Sequence, residues 1–396
     1  MGLTPTMRIV IAPDKFKGSL TATQAAEAIA VGARRAAPEA ILDSAPIADG
    51  GEGIVEALVA ATGGRYLSAW VTGPLPASGR EGRVEARYGL LGDGETAVLE
   101  MAAASGLVLV SRDQRDPWRA TTRGTGELIA AALDSGAERI ILGIGGSATN
   151  DGGAGMAQAL GYKLRDAEGR ELSTGGGALA DLRSIDSSGR DRRLDQARIA
   201  VACDVDNPLC GPRGASAIYG PQKGASPEMI RDLDQGLENF ARVVKHDLGA
   251  SVRDLPGAGA AGGLGAGLVA FAGGRLQPGI DLVLEATRLR ERLKDADLCL
   301  TAEGSIDAST AHGKAVAGVA RLASSLGCPT FAFGGRLGEG AREVLSQGVT
   351  SLFCICPGPI SESVAIERAF DLLADVAEQA VRAFIAGRSC SRDSGQ

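Results

Sequence analysis

Apolar runs alternate with amphipathic stretches at both ends of the chain. The run MRIVIAP is rich in β-branched residues and ends in a turn, and TATQAAEAIAVGARRA after it has helical periodicity with a threonine at its start. ILDSAPIAD and GIVEALVAATGG repeat this order as a second strand and helix. The alternation returns near the C-terminus in DLCLTAEG, GKAVAGVARLASSLG, PTFAFGG, EGAREVLSQG, SLFCIC and a long closing helix. This pattern predicts a parallel sheet covered by helices on both faces.

The middle of the chain has a different pattern, which begins near Trp70. WVTGPL, REGRVEARYGLL and ETAVLEM are typical of antiparallel strands joined by glycine-containing turns. Helical TRGTGELIAAALDSG, the strand RIILGIGG and a further helix and strand follow. We therefore predict an α/β protein with two domains. A discontinuous three-layer domain with a parallel sheet takes residues 1–70 plus 280–396, and a mixed α/β domain is inserted at residues 71–279.

The composition argues against several classes of protein. With 44% hydrophobic and 22% charged residues, the chain of 396 residues is typical of a globular protein. Its net charge of −7 argues against a nucleic-acid partner, and its two histidines are too few for a His/Cys zinc cluster. The sequence contains no recognisable signal peptide or membrane span, so we expect a cytoplasmic protein without a membrane partner. Both a monomer and a homodimer stay open.

The loop GIGGSATNDGGAG, Gly143–Gly155, contains six glycines and several small polar side chains. It follows an apolar run and matches the pattern G-x-G-x-x-G/A, so a dinucleotide-dependent oxidoreductase with Asp166 as its acidic residue is one interpretation. Asn150 and Asp151 favour another, a phosphate accompanied by Mg²⁺ or a polyhydroxylated substrate. The predicted ligand-binding residues of this loop are Gly145, Gly146, Ser147, Thr149, Asn150 and Asp151.

Four further polar clusters follow predicted strands, where open α/β sheets bind their ligands. They are Lys15 and Lys17 in APDKFKGSL, Asp49 in PIADGGEG, Asp204, Asp206 and Arg213 in ACDVDNPLCGPRGA, and Glu303, Asp307, Thr310, His312 and Lys314 in AEGSIDASTAHGK. Lysines next to a helix N-terminus suit an anion. The alternatives are a solvated turn with a helix cap for the first cluster, a helix cap for the second, and a structural ion-pair cluster for the last two.

The glycine-rich loop and these four clusters occur in the order seen in type I bacterial glycerate kinases, which the chain resembles from Met7 to about Gly387. The resemblance implies a flavodoxin-like domain interrupted by a second α/β domain, with the active site in the cleft between them. It also implies ATP-dependent phosphorylation of D-glycerate with Mg²⁺, giving 2-phosphoglycerate in preference to 3-phosphoglycerate. The family pattern T-G-E-G-R-I-D-x-Q-T is altered here at Ala302, Ser305 and Ser309.

The implied mechanism assigns roles to five of these residues. Lys15 and Lys17 neutralise phosphate or the glycerate carboxylate, with Lys15 expected to be catalytic. Asp204 and Asp307 are the two candidates for the general base that accepts the hydroxyl proton. Asp204 and Asp206 are the expected Mg²⁺ ligands. A glycerate-binding regulatory protein without turnover stays open, because two polar residues of the family pattern are changed.

Overall fold

The computed structural model describes residues 6–51, 53–75, 82–312 and 314–393. The chain divides into two compact units. The first unit comprises Met1–Asp49, Glu56–Gly63 and Val283–Gln396, and the second comprises Gly50–Val55 and Gly64–Leu282. The domain boundaries inferred from the sequence stay a prediction. Among the described residues, no helix is both long and apolar enough to span a membrane.

Thirteen strands and thirteen α-helices are present in the described residues. The strands are β1 (Arg8–Ile11), β2 (Ile41–Ser44), β3 (Arg65–Thr72), β4 (Arg83–Leu90), β5 (Thr96–Glu100), β6 (Arg139–Gly143), β7 (Lys163–Arg165), β8 (Ser184–Asp186), β9 (Arg198–Ala202), β10 (Arg275–Gln277), β11 (Leu298–Ile306), β12 (Thr330–Leu337) and β13 (Ser351–Cys354). The helices are α1 (Ala22–Ala36), α2 (Ile54–Thr62), α3 (Ala102–Ser105), α4 (Arg123–Asp134), α5 (Ala154–Ala159), α6 (Ala215–Tyr219), α7 (Pro227–Leu248), α8 (Ala260–Ala272), α9 (Gly279–Ala286), α10 (Leu289–Leu293), α11 (Ala315–Ser325), α12 (Glu362–Glu367) and α13 (Ala369–Asp393).

The first unit is built on a parallel sheet with the order β13-β12-β11-β1-β2. Counted within the unit, this is the flavodoxin-like order 2-1-3-4-5, and its topological switch point lies between β1 and β11. Phe331 and Phe333 of β12 pack on one face of the sheet with α1 and α13, whereas Ala332 packs on the other face with Val316 of α11. The predicted three-layer arrangement is therefore confirmed.

The second unit contains a six-stranded mixed sheet with the order β10-β9-β6-β5-β4-β3. Strands β3, β4 and β5 pair antiparallel, as the sequence pattern predicts, and β5, β6, β9 and β10 pair parallel. A large core of buried aliphatic and aromatic side chains lies against this sheet. The long polar connection before β9 contains the small hairpin of β7 and β8.

The local signals at the start of the chain are confirmed in detail. Thr21 caps α1, because its hydroxyl accepts a hydrogen bond from the backbone N–H of Gln24, and the Gln24 side chain accepts one from the backbone N–H of Thr21. Arg34 and Arg35 lie in the last turn, where positive charge suits the helix dipole.

Three elements differ in detail from the expected ones. EGAREVLSQG forms a 3₁₀ helix over Ala341–Gln347 rather than an α-helix. The closing helix is interrupted at Arg368, which separates α12 from α13. SLFCIC forms the edge strand β13 only as far as Cys354, which is exposed.

Candidate active site

The segment after β1 places the two predicted lysines at the switch-point edge of the first sheet. Phe16 is buried and pairs with Leu20 through two backbone hydrogen bonds, so Lys15 is half-buried and Lys17 is exposed on either side of it. Gly304 of β11 packs against this segment so closely that a Cβ there would lie 3.1 Å from Cα of Phe16. The lysines are therefore presented by a fixed turn.

Asp14, a residue that sequence reasoning missed, lies in the same segment and is 5% exposed. Its backbone N–H donates to the carbonyl oxygen of Ala302 at 2.8 Å. Its Oδ1 accepts a hydrogen bond from the backbone N–H of Lys15 at 2.7 Å. Burial, with the negative charges of Asp49 and Glu303, raises the pKa of Asp14 to about 7, against the opposing effect of Lys15. This carboxyl group therefore titrates near neutral pH.

Glu303, Thr310 and Lys314 form one connected cluster at the end of β11. Glu303 Oε2 accepts a hydrogen bond from the hydroxyl of buried Thr310 at 3.2 Å, and its Oε1 lies 3.7 Å from Nζ of Lys314. Burial raises the pKa of Glu303, and the positive charge of Lys314 opposes that shift. The structure thus brings these three predicted residues together, and their role in the reaction stays a prediction.

Asp307 is held in the turn that starts the 3₁₀ helix Ala308–His312. Its Oδ1 accepts hydrogen bonds from the backbone N–H and the hydroxyl of Ser309, at 2.9 and 2.5 Å. These bonds lower the pKa of Asp307, which makes it a weaker base than an unperturbed aspartate. The side chain of His312 lies outside the described part of the chain.

The altered family positions have distinct surroundings. Ala302 is fully buried in β11, where its carbonyl oxygen accepts the hydrogen bond from Asp14. The hydroxyl of Ser305 is buried without a hydrogen-bond partner among the described residues. Ser305 is paired with exposed Arg336 of β12, so both side chains lie on one face of the sheet. Ser309 keeps a polar role through Asp307.

The glycine-rich loop of the second unit follows β6 and ends at α5. Gly145 and Gly146 are exposed, and Gly146, Gly152 and Gly153 have positive φ angles between 62° and 81°. Leu107 donates its backbone N–H to the carbonyl oxygen of Gly146 at 2.8 Å, which fixes the exposed tip. Glycine is needed where the chain adopts this left-handed conformation. The tip therefore offers bare backbone to solvent.

The polar side chains after this tip point into the second unit. Lys223 is fully buried, and its Nζ donates to Oγ of Ser147 at 2.8 Å and to the carbonyl oxygen of Thr149 at 2.7 Å. Burial lowers the pKa of Lys223 to about 7, with the negative charge of Asp151 opposing the shift. Lys223 therefore holds the glycine-rich loop in place through hydrogen bonds made inside the second unit.

Asn150 and Asp151 are also buried. Nδ2 of Asn150 donates to Oγ of Ser216 at 3.0 Å. Asp151 Oδ2 accepts hydrogen bonds from the backbone N–H and the hydroxyl of Thr122, at 2.8 and 3.0 Å, and its carboxyl group also accepts from the N–H groups of Gly153 and Gly155. Burial raises the pKa of Asp151, and those hydrogen bonds oppose the shift. Asp151 therefore ties the start of α4 to the start of α5.

Asp204 and Asp206 follow β9 but do not converge on one point. Asp204 is exposed, and its Oδ1 accepts a hydrogen bond from the backbone N–H of Gly279 at 2.9 Å. Asp206 forms an exposed ion pair with Arg213 at 3.2 Å. In the described ranges no three His, Cys, Asp or Glu side chains gather in a way that could hold a metal ion. Mg²⁺ is commonly bound through only one or two carboxylates plus substrate phosphates, so the exposed carboxylate of Asp204 fits that chemistry better than Asp206 does.

The dinucleotide interpretation does not agree with the fold. GIGGSA follows β6, but α5 begins only at Ala154, so the pattern does not open a helix as a dinucleotide fingerprint does. Asp166 follows β7, but β7 pairs antiparallel with β8 in a two-stranded hairpin and is not the next parallel strand that a dinucleotide fold requires. Its carboxylate forms an ion pair with Arg170 at 2.8 Å.

Comparison with known proteins agrees with the order of motifs. The model of the glycerate kinase family matches residues 9–385. The chain belongs to the glycerate kinase family. It is 52% identical over 376 residues to the glycerate kinase of Bacillus subtilis, covering 95% of this chain and 96% of that protein. It is 52% identical over 365 residues to the glycerate 2-kinase of Escherichia coli, covering 92% and 94%.

A crystal structure of a putative glycerate kinase 2 from Salmonella typhimurium is similar in fold. Its TM-score with this chain is 0.89 at 49% identity, and the match covers 97% of this chain and 100% of that one. The prediction of a glycerate kinase family member, and hence of a phosphotransferase, is confirmed, as is the mixed α/β fold.

Two residues of this glycerate kinase family member received no role from the sequence. Asp14 stands between a proline and a lysine, in a motif whose two lysines were predicted to bind an anion. Lys223 follows a glutamine in a turn. The signal available for Asp14 was its position just after the first strand, at the edge where ligands bind. The sequence held no sign that Lys223 is buried.

Proposed function

We propose that this protein transfers the γ-phosphoryl group of ATP to the 2-hydroxyl of D-glycerate, giving 2-phosphoglycerate and ADP. The observation that carries the proposal is the family match over residues 9–385 together with the lysines and carboxylates at the ends of β1 and β11. The relative from Escherichia coli that is named a glycerate 2-kinase supports the 2-position.

Phosphoryl transfer depends on positioned reactants and neutralised charge more than on covalent chemistry. We assign Lys15 and Lys17 to the negative charges of the transferred phosphoryl group and the glycerate carboxylate. Lys314 and Thr310 hold Glu303, which offers a carboxylate oxygen to a substrate hydroxyl. A compact ammonium on a flexible stem suits a phosphate that changes its geometry during the reaction.

The backbone of Gly145 and Gly146 is assigned to the phosphates of ATP. Exposed backbone next to left-handed glycines can direct N–H groups towards an anion. Mg²⁺ would enter with ATP as part of the substrate and would supply positive charge against the charge of its phosphates. Asp204 is the carboxylate we assign to it.

The test is phosphorus NMR of the protein with ATP, Mg²⁺ and D-glycerate. A new phosphomonoester signal that is a doublet in the proton-coupled spectrum identifies 2-phosphoglycerate, because its phosphorus couples to one proton. A triplet identifies 3-phosphoglycerate, because the neighbouring carbon then carries two protons. A reaction without glycerate controls for ATP hydrolysis. Binding of D-glycerate by calorimetry without any new signal would overturn the proposal in favour of a regulatory protein.

A further inference from the structure

Asp14 is fixed at the point of the first sheet where the strand connections change direction. The backbone N–H of Asp14 donates to β11 at the carbonyl oxygen of Ala302, and the backbone N–H of Ile47 donates to the carbonyl oxygen of Pro13 at 2.9 Å. The segment is thus held from both sides, between the continuation of β2 and strand β11. In sheets of this order, ligands bind in the crevice at this switch point.

Charged groups from three segments act on the Asp14 carboxyl group. Asp49 faces it from the turn after β2, Glu303 faces it from β11, and Lys15 is next to it in the chain. Because Asp14 is largely buried and two of these neighbours are negative, its ionised form is costly, and its pKa rises to about 7. A proton acceptor works best when its pKa is near the working pH.

We propose that Asp14 is the catalytic base that accepts the proton of the glycerate hydroxyl during phosphoryl transfer. This inference rests on the proposed function. As the bond forms between the hydroxyl oxygen and the γ-phosphorus of ATP, the bond from that phosphorus to the β–γ bridging oxygen breaks, and its electron pair leaves with ADP. The hydroxyl proton passes to the Asp14 carboxylate and is then released to water.

The two sequence candidates are less suited to this task. Asp307 is engaged by two hydrogen bonds from Ser309, and its lowered pKa weakens it as a base. Asp204 is exposed, accepts a hydrogen bond from Gly279 and is better placed to meet a solvated cation. Asp14 combines burial with a carboxyl group that accepts one hydrogen bond among the described residues, from the backbone N–H of Lys15.

The test compares the wild-type enzyme with Asp14→Asn and with the control Asp371→Asn, which changes an exposed aspartate in the first turn of α13. Wild-type kcat/KM should fall tenfold per pH unit below about pH 7 and level off above it, because only the ionised carboxylate accepts the proton. Asp14→Asn should lower kcat at least 100-fold and remove this acidic limb. The control should keep both the rate and the limb.

Stability separates a chemical role from a structural one. Asparagine keeps the hydrogen bond from the Lys15 backbone and removes a charge that Asp49 and Glu303 repel. We therefore expect Asp14→Asn to match or exceed the wild-type Tm at pH 8 while losing turnover. A lowered Tm with proportionate loss of folded protein would instead indicate a structural role and overturn the inference.

A second variant tests the inference without removing Asp14. Asp49→Asn takes away a charge that raises the pKa of Asp14, so the midpoint of the acidic limb should move to lower pH. An unmoved limb in Asp49→Asn, or an Asp14→Asn enzyme that keeps the limb, overturns the role of Asp14 and leaves the proposed function intact. A wild-type protein that forms no phosphoglycerate overturns both.

Discussion

At the scale of single residues, exposure distinguishes the predicted polar residues that can meet a ligand from those that serve the fold. Lys17 and Asp204 are exposed, whereas Ser147, Thr149 and Asp151 are buried within the second unit. Burying a polar group is tolerated only when it gains hydrogen bonds, and most of these side chains do. The many small polar residues of the glycine-rich loop therefore hold its backbone in place.

Lys15 should be essential for turnover. Replacing it with methionine keeps a similar apolar stem and removes the ammonium, so we expect kcat/KM for ATP and D-glycerate to fall by about 100-fold or more, as for other electrostatic contacts to the transition state. The measurement is a coupled ADP-release assay. Lys294→Met, which changes an exposed lysine of the same unit, is the control and should keep full activity. Equal activity of the two variants would refute the role of Lys15.

Lys223 should make the free energy of unfolding increase as the pH rises above 7. Its pKa is lowered to about 7 in the folded protein, so between pH 7 and about 10 the unfolded chain binds more protons than the folded one. The free energy of unfolding of the wild type, relative to that of Lys223→Met, should therefore increase as pH rises from 7 to 9.5. Urea unfolding at both pH values measures this gain.

The matched control for Lys223 is Lys163→Met, which changes an exposed lysine in β7. Its stability relative to wild type should not change between the two pH values. A stability difference for Lys223→Met that is equally flat would mean that the buried amine keeps its ordinary pKa.

At the scale of elements, close helix packing depends on a glycine in α1. A Cβ at Gly32 would lie 2.0 Å from the carbonyl oxygen of Ala374 and 2.8 Å from the backbone nitrogen of Glu378. Gly32→Ala would thus force α1 away from α13, and we expect a loss of about 2–3 kcal/mol in the free energy of unfolding. A Cβ at Gly387, also in α13, would meet no atom within 4 Å. Gly387→Ala should be neutral or stabilising by up to about 1 kcal/mol.

Urea unfolding followed by circular dichroism measures both glycine variants. Equal stabilities of Gly32→Ala and Gly387→Ala would contradict the packing argument. If Gly32→Ala leaves the free energy of unfolding unchanged, then α1 and α13 can move apart without a measurable loss of stability.

At the scale of the whole molecule, each of the two compact units contains a large hydrophobic cluster of its own. Each core is large enough to unfold as a unit of its own. We expect differential scanning calorimetry to give a calorimetric enthalpy larger than the van't Hoff enthalpy. Gly32→Ala should lower the midpoint temperature of one component of the thermal transition and leave that of the other unchanged. A single two-state transition that shifts as a whole would contradict this expectation.

Much of the fold could be predicted because its signals are local. The strand before α1, the capping residues Thr21 and Gln24, and the antiparallel middle strands are each encoded within a few neighbouring residues. The sequence pattern did not predict the interruption at Arg368 or the 3₁₀ form of Ala341–Gln347, because tertiary packing overrides weak helical propensity at element ends.

The sequence by itself determined the family, the order of elements and the segments that contain the candidate site. It named Lys15, Glu303, Thr310 and Lys314, because each lies near or beyond the end of a recognisable strand. Only the tertiary structure decided which polar groups are buried and which charges face one another. Asp14 acquires its raised pKa first from burial and then from the charges of Asp49 and Glu303, which are distant in the chain. Desolvation and Coulombic interaction depend on distance in space, so no local pattern of residues could reveal them.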